Sequence, residues 1–191
     1  MYIELNTNEL YGRNLTAGAL DVMGQYYSVA SSPHAFYNYG GLVYTGNDEK
    51  ALFDNMWQKC YAVIACCNTI IEKCDENKAG LSPVWKGSIK GEALALRAML
   101  HFDMLRLFAP APVNDDGQAY VPYVETYPDI HPESIKVTPF LDKVVRDLVK
   151  AKSLVADFDT TDAGVLASSS GKMRMSKANI LAGPSFNYGD F

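Results

Sequence analysis

The residues best able to do chemistry in this 191-residue sequence fall into three sets. The first is aromatic. Between His34 and Asn47, HAFYNYGGLVYTGN sets Phe36, Tyr37, Tyr39 and Tyr44 among Asn38, Asn47 and the glycines Gly40, Gly41 and Gly46. Such a stretch suits a sugar. The C–H faces of a sugar ring stack on aromatic rings, its hydroxyls need amide or backbone partners, and tyrosine offers both an apolar face and a hydrogen-bonding tip. The bland alternative is that these rings cover the ends of neighbouring helices. The second set is Glu92, Arg97, His101, Asp103 and Arg106, all on one segment. Glu92 and Asp103 lie about 16 Å apart at helical rise, too far for a pair of glycosidase carboxylates. Asp103 and Arg106 are one turn apart and read as an ion pair. Arg97 and His101, also one turn apart, read as bonds to neighbouring helices or carbonyls. The third set is Cys60, Cys66, Cys67 and Cys74 on one predicted helix. A rigid helix does not bring them into disulfide geometry, and no histidine lies near in sequence to complete a metal site. They read as small buried hydrophobes. The motifs GxGxxG, Walker A, HExxH, CxxC and GxSxG do not occur. The expectation is no catalytic residue, no cofactor and no metal.

Helices and loops must position these side chains. Asn14 or Thr16 is expected to cap a first helix to about Ala30, with Ala19, Met23, Tyr26 and Ala30 on one side. Residues 34–47 have neither helical spacing nor clean alternation and read as an ordered loop. Asn47 or Asp48 would cap a second helix to about Asn77. Phe53, Trp57, Cys60, Ile64, Cys67, Ile71 and Cys74 step along it by three and four, and Asn68 sits at the edge of that arc. A buried Asn68 must find partners, an interhelix or loop-fixing bond being favoured over a ligand contact. Gly80-Leu81-Ser82-Pro83 turns the chain, and the short connection returns the next helix antiparallel. Prolines 110, 112, 122, 128 and 132 make residues 110–136 non-helical. Thr138, with Pro139 after it, would cap a further helix striped by Phe140, Val144, Leu148, Ala151 and Val155. Residues 159–171 are small and polar and read as a mobile linker. Ser176 could cap another helix over Met173 to Ala182, and Gly183-Pro184 breaks it, leaving an atypical tail over 183–191.

The stretch KGSIKGEALALRAMLHFDMLRLFAPAP, Lys86 to Pro112, organises the rest. Ile89, Ala93, Leu96, Leu100, Met104 and Leu107 form one apolar face; Leu94, Ala98, Phe102 and Leu105 form another roughly opposite. A surface helix needs one such face, so this helix must be packed from both sides. Its wording resembles the signature helix of the SusD/RagB family, which opens Gly-Glu-Ala and closes on aromatic-Asp-Leu-X-Arg-Leu-aromatic. MWQKCYAVIACCNTII matches that family's spacing of Trp57, Tyr61, Ile64 and Asn68, and LYGRNLTAGALDVMGQYY is similar to its first helix. The resemblance runs from about Leu10 to Lys177 and departs from the family pattern beyond. It implies an all-α fold of antiparallel helix pairs in a tetratricopeptide-like right-handed superhelix with long ordered loops. It further implies the N-terminal part of a longer, cell-surface lipoprotein of the outer membrane, working beside a SusC-like TonB-dependent transporter, with a glycan site that includes a loop equivalent to residues 34–47. Tyr120, Tyr123 and Tyr127 form a lesser candidate surface, for sugar or transporter.

Composition narrows the classes further. The chain is 48% hydrophobic and 20% charged, ordinary for a globular domain. A net charge of −5 argues against a nucleic-acid partner. The opening MYIELNTNEL has neither the basic start nor the apolar run of a signal peptide; on the resemblance, a leader and a lipid-attachment cysteine are expected outside this sequence. The reading is a non-enzymatic binder of oligosaccharide or polysaccharide, with Phe36, Tyr37, Asn38, Tyr39, Tyr44 and Asn47 as candidate contacts. The alternative is a helical scaffold that binds protein partners and no sugar. A helical enzyme is the weakest reading, since no acid/base constellation supports it.

Overall fold

The computed structural model describes residues 2–8, 10–12, 15–30, 33–129 and 131–161. In order along the chain lie α1 (Tyr2–Leu5), a π-helical turn (Leu15–Leu20), α2 (Asp21–Met23), α3 (Tyr37–Gly40), α4 (Asn47–Glu76) and α5 (Pro83–Phe108). A 3-10 turn (Pro112–Asn114), β1 (Ala119–Pro122), β2 (Ser134–Lys136) and α6 (Val137–Thr161) follow. The chain divides into two compact units, Met1–Val63 and Ile64–Phe191, and α4 runs through the division.

In the first unit a small apolar cluster of Ala19, Val22 and Tyr39 is buried, with Met23, Val29, Phe36, Tyr44, Leu52 and Phe53 packed on it. The first helix is much shorter than its periodicity predicts. A π-helical turn runs into three residues of α2, and the backbone then reverses at Gly24 and Gln25. The Gln25 N–H donates to the Val22 carbonyl and the Tyr26 N–H to the Asp21 carbonyl, the paired bonds of a Schellman stop. Gln25 takes the left-handed conformation (φ 58°) that the stop requires. Tyr26, expected on the buried stripe, is 84% exposed. The Thr16 hydroxyl donates to the Gly12 carbonyl four residues back; the other expected cap, Asn14, lies outside the described residues.

The second unit holds the helix pairs. Across the α4–α5 contact Asp75 pairs with Lys90, Ile71 packs near Leu94, and Asn68 bonds Arg97. One number rises as the other falls, so the helices are antiparallel. The same test on Gly91 against Ala151, Arg97 against Asp147 and His101 against Phe140 makes α5 and α6 antiparallel. The turn between α4 and α5 is set locally. Asn77 (φ 47°) and Gly80 (φ 66°) supply left-handed residues, and the Asn77 side chain bonds both the N–H and the carbonyl of Leu81. Ser82 caps α5, accepting the Trp85 N–H, with Pro83 in the first turn. Thirteen residues of α5, from both faces, are buried. That is the packing two apolar faces demand. Gly87 and Gly91 let α6 come close. A Cβ on Gly91 would lie 2.8 Å from the Val155 side chain and 3.0 Å from the Ala151 carbonyl; one on Gly87 would lie 3.0 Å from the Leu154 carbonyl.

Two expectations about helix starts shift by one or two residues. Gly46, whose carbonyl takes the Lys50 N–H, occupies the cap of α4, so Asn47 is already helical. Helix α6 begins at Val137, ahead of the expected Thr138 cap, and continues to Thr161, so residues 159–161 of the expected linker are helical. The rest of that linker, the helix expected over 173–182 with its Ser176 cap and the tail over 183–191 lie outside the described residues. The proline-rich stretch is non-helical apart from its 3-10 turn, but it also holds a small antiparallel sheet, β1 against β2, with Val121 opposite Ile135 and an irregularity between Ala119 and Val121. Runs of four and three residues are too short for periodicity to reveal.

Candidate functional site

The 34–47 stretch is a short helix between two turns, and that geometry sorts its aromatic rings. Tyr37 and Tyr39 are two residues apart on α3, so they point to nearly opposite sides. Tyr39 turns inward and is 4% exposed; Tyr37 turns outward and is 42% exposed. Beneath the surface Phe36, Tyr39, Phe53 and Tyr44 form a chain of ring contacts with centroids 5.7–6.1 Å apart. Gly18 is needed under Phe36, because a Cβ there would lie 2.5 Å from the ring. Burial, then the nearby Glu49 and Asp48 carboxyls, push the Tyr39 hydroxyl above its usual range. Phe36, Tyr39 and Tyr44 therefore serve chiefly to build the apolar cluster of this unit, and Tyr39 has no free face for a ligand. Asn47 is exposed in the first turn of α4 and is not among the lining residues described next.

Beside that cluster, with Val22 and Val29 common to both, lies an open cavity of about 530 Å³ between residues 25–29 and 37–43. Its polar lining is Gln25, Tyr27, Ser28, Tyr37 and Asn38, and Val22, Val29 and Val43 supply apolar patches. Gly40 and Gly41 bring backbone to its wall. Of the six residues singled out in sequence, Tyr37 and Asn38 line this groove. Tyr27, Gln25 and Ser28 escaped sequence reasoning, which had placed them on a continuous helix; the signal available was Gly24 just ahead of two tyrosines. The Tyr27 hydroxyl donates to the Ala17 carbonyl at 2.6 Å, which fixes the ring while 44% of the residue stays exposed. The Asn38 amide donates to the Glu49 carboxylate at 2.8 Å, so that side chain is also held. The second wall ends as the first does. The Leu42 N–H donates to the Tyr39 carbonyl and the Val43 N–H to the Asn38 carbonyl, with Leu42 left-handed at φ 54°. A leucine in that region is a strained choice, on the order of 1–2 kcal/mol above its ordinary conformation. Two such stops, at Gln25 and Leu42, frame one groove.

In the second unit the polar residues of α5 enter a buried network. Arg97, 4% exposed, donates through Nε and Nη2 to the Asp147 carboxylate at 2.8 and 2.6 Å, and through Nη1 to Asn68 Oδ1 and the Glu125 carbonyl. Asn68 Nδ2 donates to the carbonyls of Val124 and Thr126. The Tyr123 hydroxyl donates to Asp147 at 2.7 Å, and its ring stacks on His101 with centroids 4.0 Å apart. The Val124 N–H donates to His101 Nε2, so Nδ1 carries the proton and donates to the Arg97 carbonyl. Nearer solvent, Glu125 pairs with Lys143 and Arg146. Burial raises the Glu125 carboxyl, and the two cations outweigh it, leaving a net downward shift. Apart from the His101–Arg97 bond within α5, these contacts pin the 123–126 segment or join α4, α5 and α6. Asp147 was missed in sequence; a carboxylate three residues after Val144 on the apolar stripe, facing a helix that carries Arg97, was the available signal.

The remaining candidates are dispersed. Glu92 is half-buried, and Arg106 pairs with Asp103 at 3.3 Å on an exposed part of α5, with its guanidinium 5.7 Å over the Phe102 ring. Tyr123 belongs to the buried network, Tyr120 donates to Asp116, and Tyr127 is 58% exposed, so these three tyrosines form no common surface. The four cysteines are free thiols, and all but Cys66 are buried. Burial pushes the Cys67 thiol up to about 12. Among the described residues no group of three or more His, Cys, Asp or Glu could hold a metal, and no helix is long and apolar enough to cross a membrane.

A family model described as "Starch-binding associating with outer membrane" (SusD-like) matches residues 12–170. Among curated proteins no relative matches the chain. Two solved structures from Bacteroides vulgatus share its fold. One, described as a sugar binding protein, is 22% identical at a TM-score of 0.63, covering 95% of this chain and 40% of its own. The other, described as a SusD-like carbohydrate binding protein, is 20% identical at a TM-score of 0.64, covering 93% of this chain and 37% of its own. The likeness places this chain in the helical, tetratricopeptide-like class that the resemblance implies. The chain spans about two fifths of the length of these solved relatives.

Proposed function

The chain belongs to the SusD-like family, and from that premise we propose that it binds carbohydrate without catalysis, holding a saccharide in the groove between residues 25–29 and 37–43. The observation that carries the reading is the lining itself: two partly exposed tyrosine rings, that of Tyr27 held by its bond to the Ala17 carbonyl, beside amide and hydroxyl side chains. Rings give a sugar its stacking surface, the amides and Ser28 meet its hydroxyls, and the volume falls in the range of about 300–1,000 Å³ usual for small-molecule sites. Fixed side chains lose less entropy on binding. The buried network of Arg97, Asp147 and His101 is a poor catalytic centre because its polar atoms bond one another and the backbone. The family description and the names of the two solved relatives support the same ligand class and a place at the outer membrane. Capture for a SusC-like TonB-dependent transporter, and anchoring as a cell-surface lipoprotein, complete the proposal for the whole protein.

A glycan array followed by calorimetry on the strongest hit tests it. Tyr37→Ala, with unchanged helicity, is expected to weaken binding about tenfold, the loss of one stacked ring. Unchanged affinity in both Tyr37→Ala and Tyr27→Ala would overturn the placement. A blank array together with tight binding to a protein partner would replace it by the scaffold reading.

A further inference from the structure

Resting on the carbohydrate reading, we propose that the groove selects neutral saccharides and rejects uronic, sulfated or sialylated ones. Among the described residues the lining offers hydrogen bonds and stacking but no cation: its polar members are amides, hydroxyls and backbone. The sequence around it is equally bare. From Asn14 to Glu49 there is no Lys or Arg, while Asp21, Asp48 and Glu49 lie within or at the end of that span. One of these is bonded to a lining residue. Glu49 is 5% exposed and accepts from Asn38, so a carboxylate stands directly behind a groove residue. A neutral hydroxyl can exchange its waters for Asn38, Gln25 or Ser28 at little cost. A carboxylate or sulfate entering the same space would lose water and gain no counter-ion from the described lining, with the Glu49 carboxylate behind Asn38, and an ionised group desolvated without a partner is heavily disfavoured. Tight recognition of carboxylate or sulfate draws on Arg forks or Lys ammonium charges, and residues 14–49 hold neither residue.

The test is a matched pair of panels on the full chain by calorimetry. The neutral panel holds hexasaccharides of glucose, xylose, mannose and galactose; the anionic panel holds hexagalacturonate and hexasaccharides of chondroitin sulfate and heparin. The expected result is that the binders are neutral, that the uronate counterpart of the best binder is at least about tenfold weaker, and that neutral binding is indifferent to salt. Val43→Lys, at an exposed wall position, is expected to raise uronate affinity at low salt and lose the gain at high salt. An anionic oligosaccharide that binds best, with affinity falling as salt rises, would overturn the inference and leave the carbohydrate reading standing. Silence on both panels would overturn the two together.

Discussion

His101 has none of its surface exposed, and both ring nitrogens are committed, Nδ1 to the Arg97 carbonyl and Nε2 to the Val124 N–H. A proton on Nε2 would set two donors face to face. Burial therefore holds the ring neutral and lowers its pKa to about 3. The sign of the linkage follows. Unfolded, the ring titrates near its ordinary value, about 6.5; folded, it does not charge until about 3. The native state thus binds fewer protons in between, and this contribution to stability is whole above about pH 6.5 and lost as pH falls toward 3. Urea denaturation from pH 7 to pH 5 should show stability falling, on the order of 1 kcal/mol per pH unit at the acid end, and His101→Gln should flatten that slope. An equal slope in wild type and variant would remove His101 from the account. Below that range Glu125, whose carboxyl is shifted downward, adds its own acid loss.

The contact between α5 and α6 shows how element-scale packing depends on one hydrogen atom. Alanine at 91 would gain about 1 kcal/mol of helix propensity. Its methyl would meet Val155 at 2.8 Å and the Ala151 carbonyl at 3.0 Å, however, and a backbone oxygen cannot swing aside. Overpacking of that kind costs about 1–3 kcal/mol, so Gly91→Ala should lower the denaturation midpoint despite the better propensity. Two turns further along, Arg97→Ala would leave Asp147 buried and short of its chief partner, a loss of about 3–5 kcal/mol. Asp147→Ala should do similar damage, and the double variant should lose clearly less than the two losses added together, because each single change strands the other's charge. Additive losses in denaturant titrations would contradict a coupled pair.

The three long helices were legible because each carries an apolar stripe many turns long. The two faces of α5 even told that it is packed from both sides. Helix α2 was not legible in extent, since periodicity continues through Tyr26 and Ala30 while the chain stops in a Schellman turn on Gln25, a residue with no turn signature of its own. The β1–β2 pair was too short to show. Asn68, Arg97 and His101 announced themselves as polar groups on apolar helices, but their partners Asp147 and the 123–126 backbone could be named only once the elements were placed. The candidate site was half legible. The 34–47 segment supplies Tyr37 and Asn38 to the groove lining, yet only placement separates the outward Tyr37 from the inward Tyr39, or brings in Tyr27 from a different turn.

For the whole molecule, the two units carry different duties. The unit ending at Val63 holds the groove, built from short helices and turns; the unit beginning at Ile64 holds the helix pairs and the buried polar network. Variants of the network should therefore read out as stability, and variants of the groove as binding with stability unchanged. The most direct measurement is a crystal structure of the chain with the strongest-binding oligosaccharide from the array. The account predicts a sugar ring stacked on Tyr37 or Tyr27, with its hydroxyls bonded to Asn38, Gln25 or Ser28. A saccharide ordered elsewhere on the surface, with the groove between residues 25–29 and 37–43 left to solvent, would contradict it.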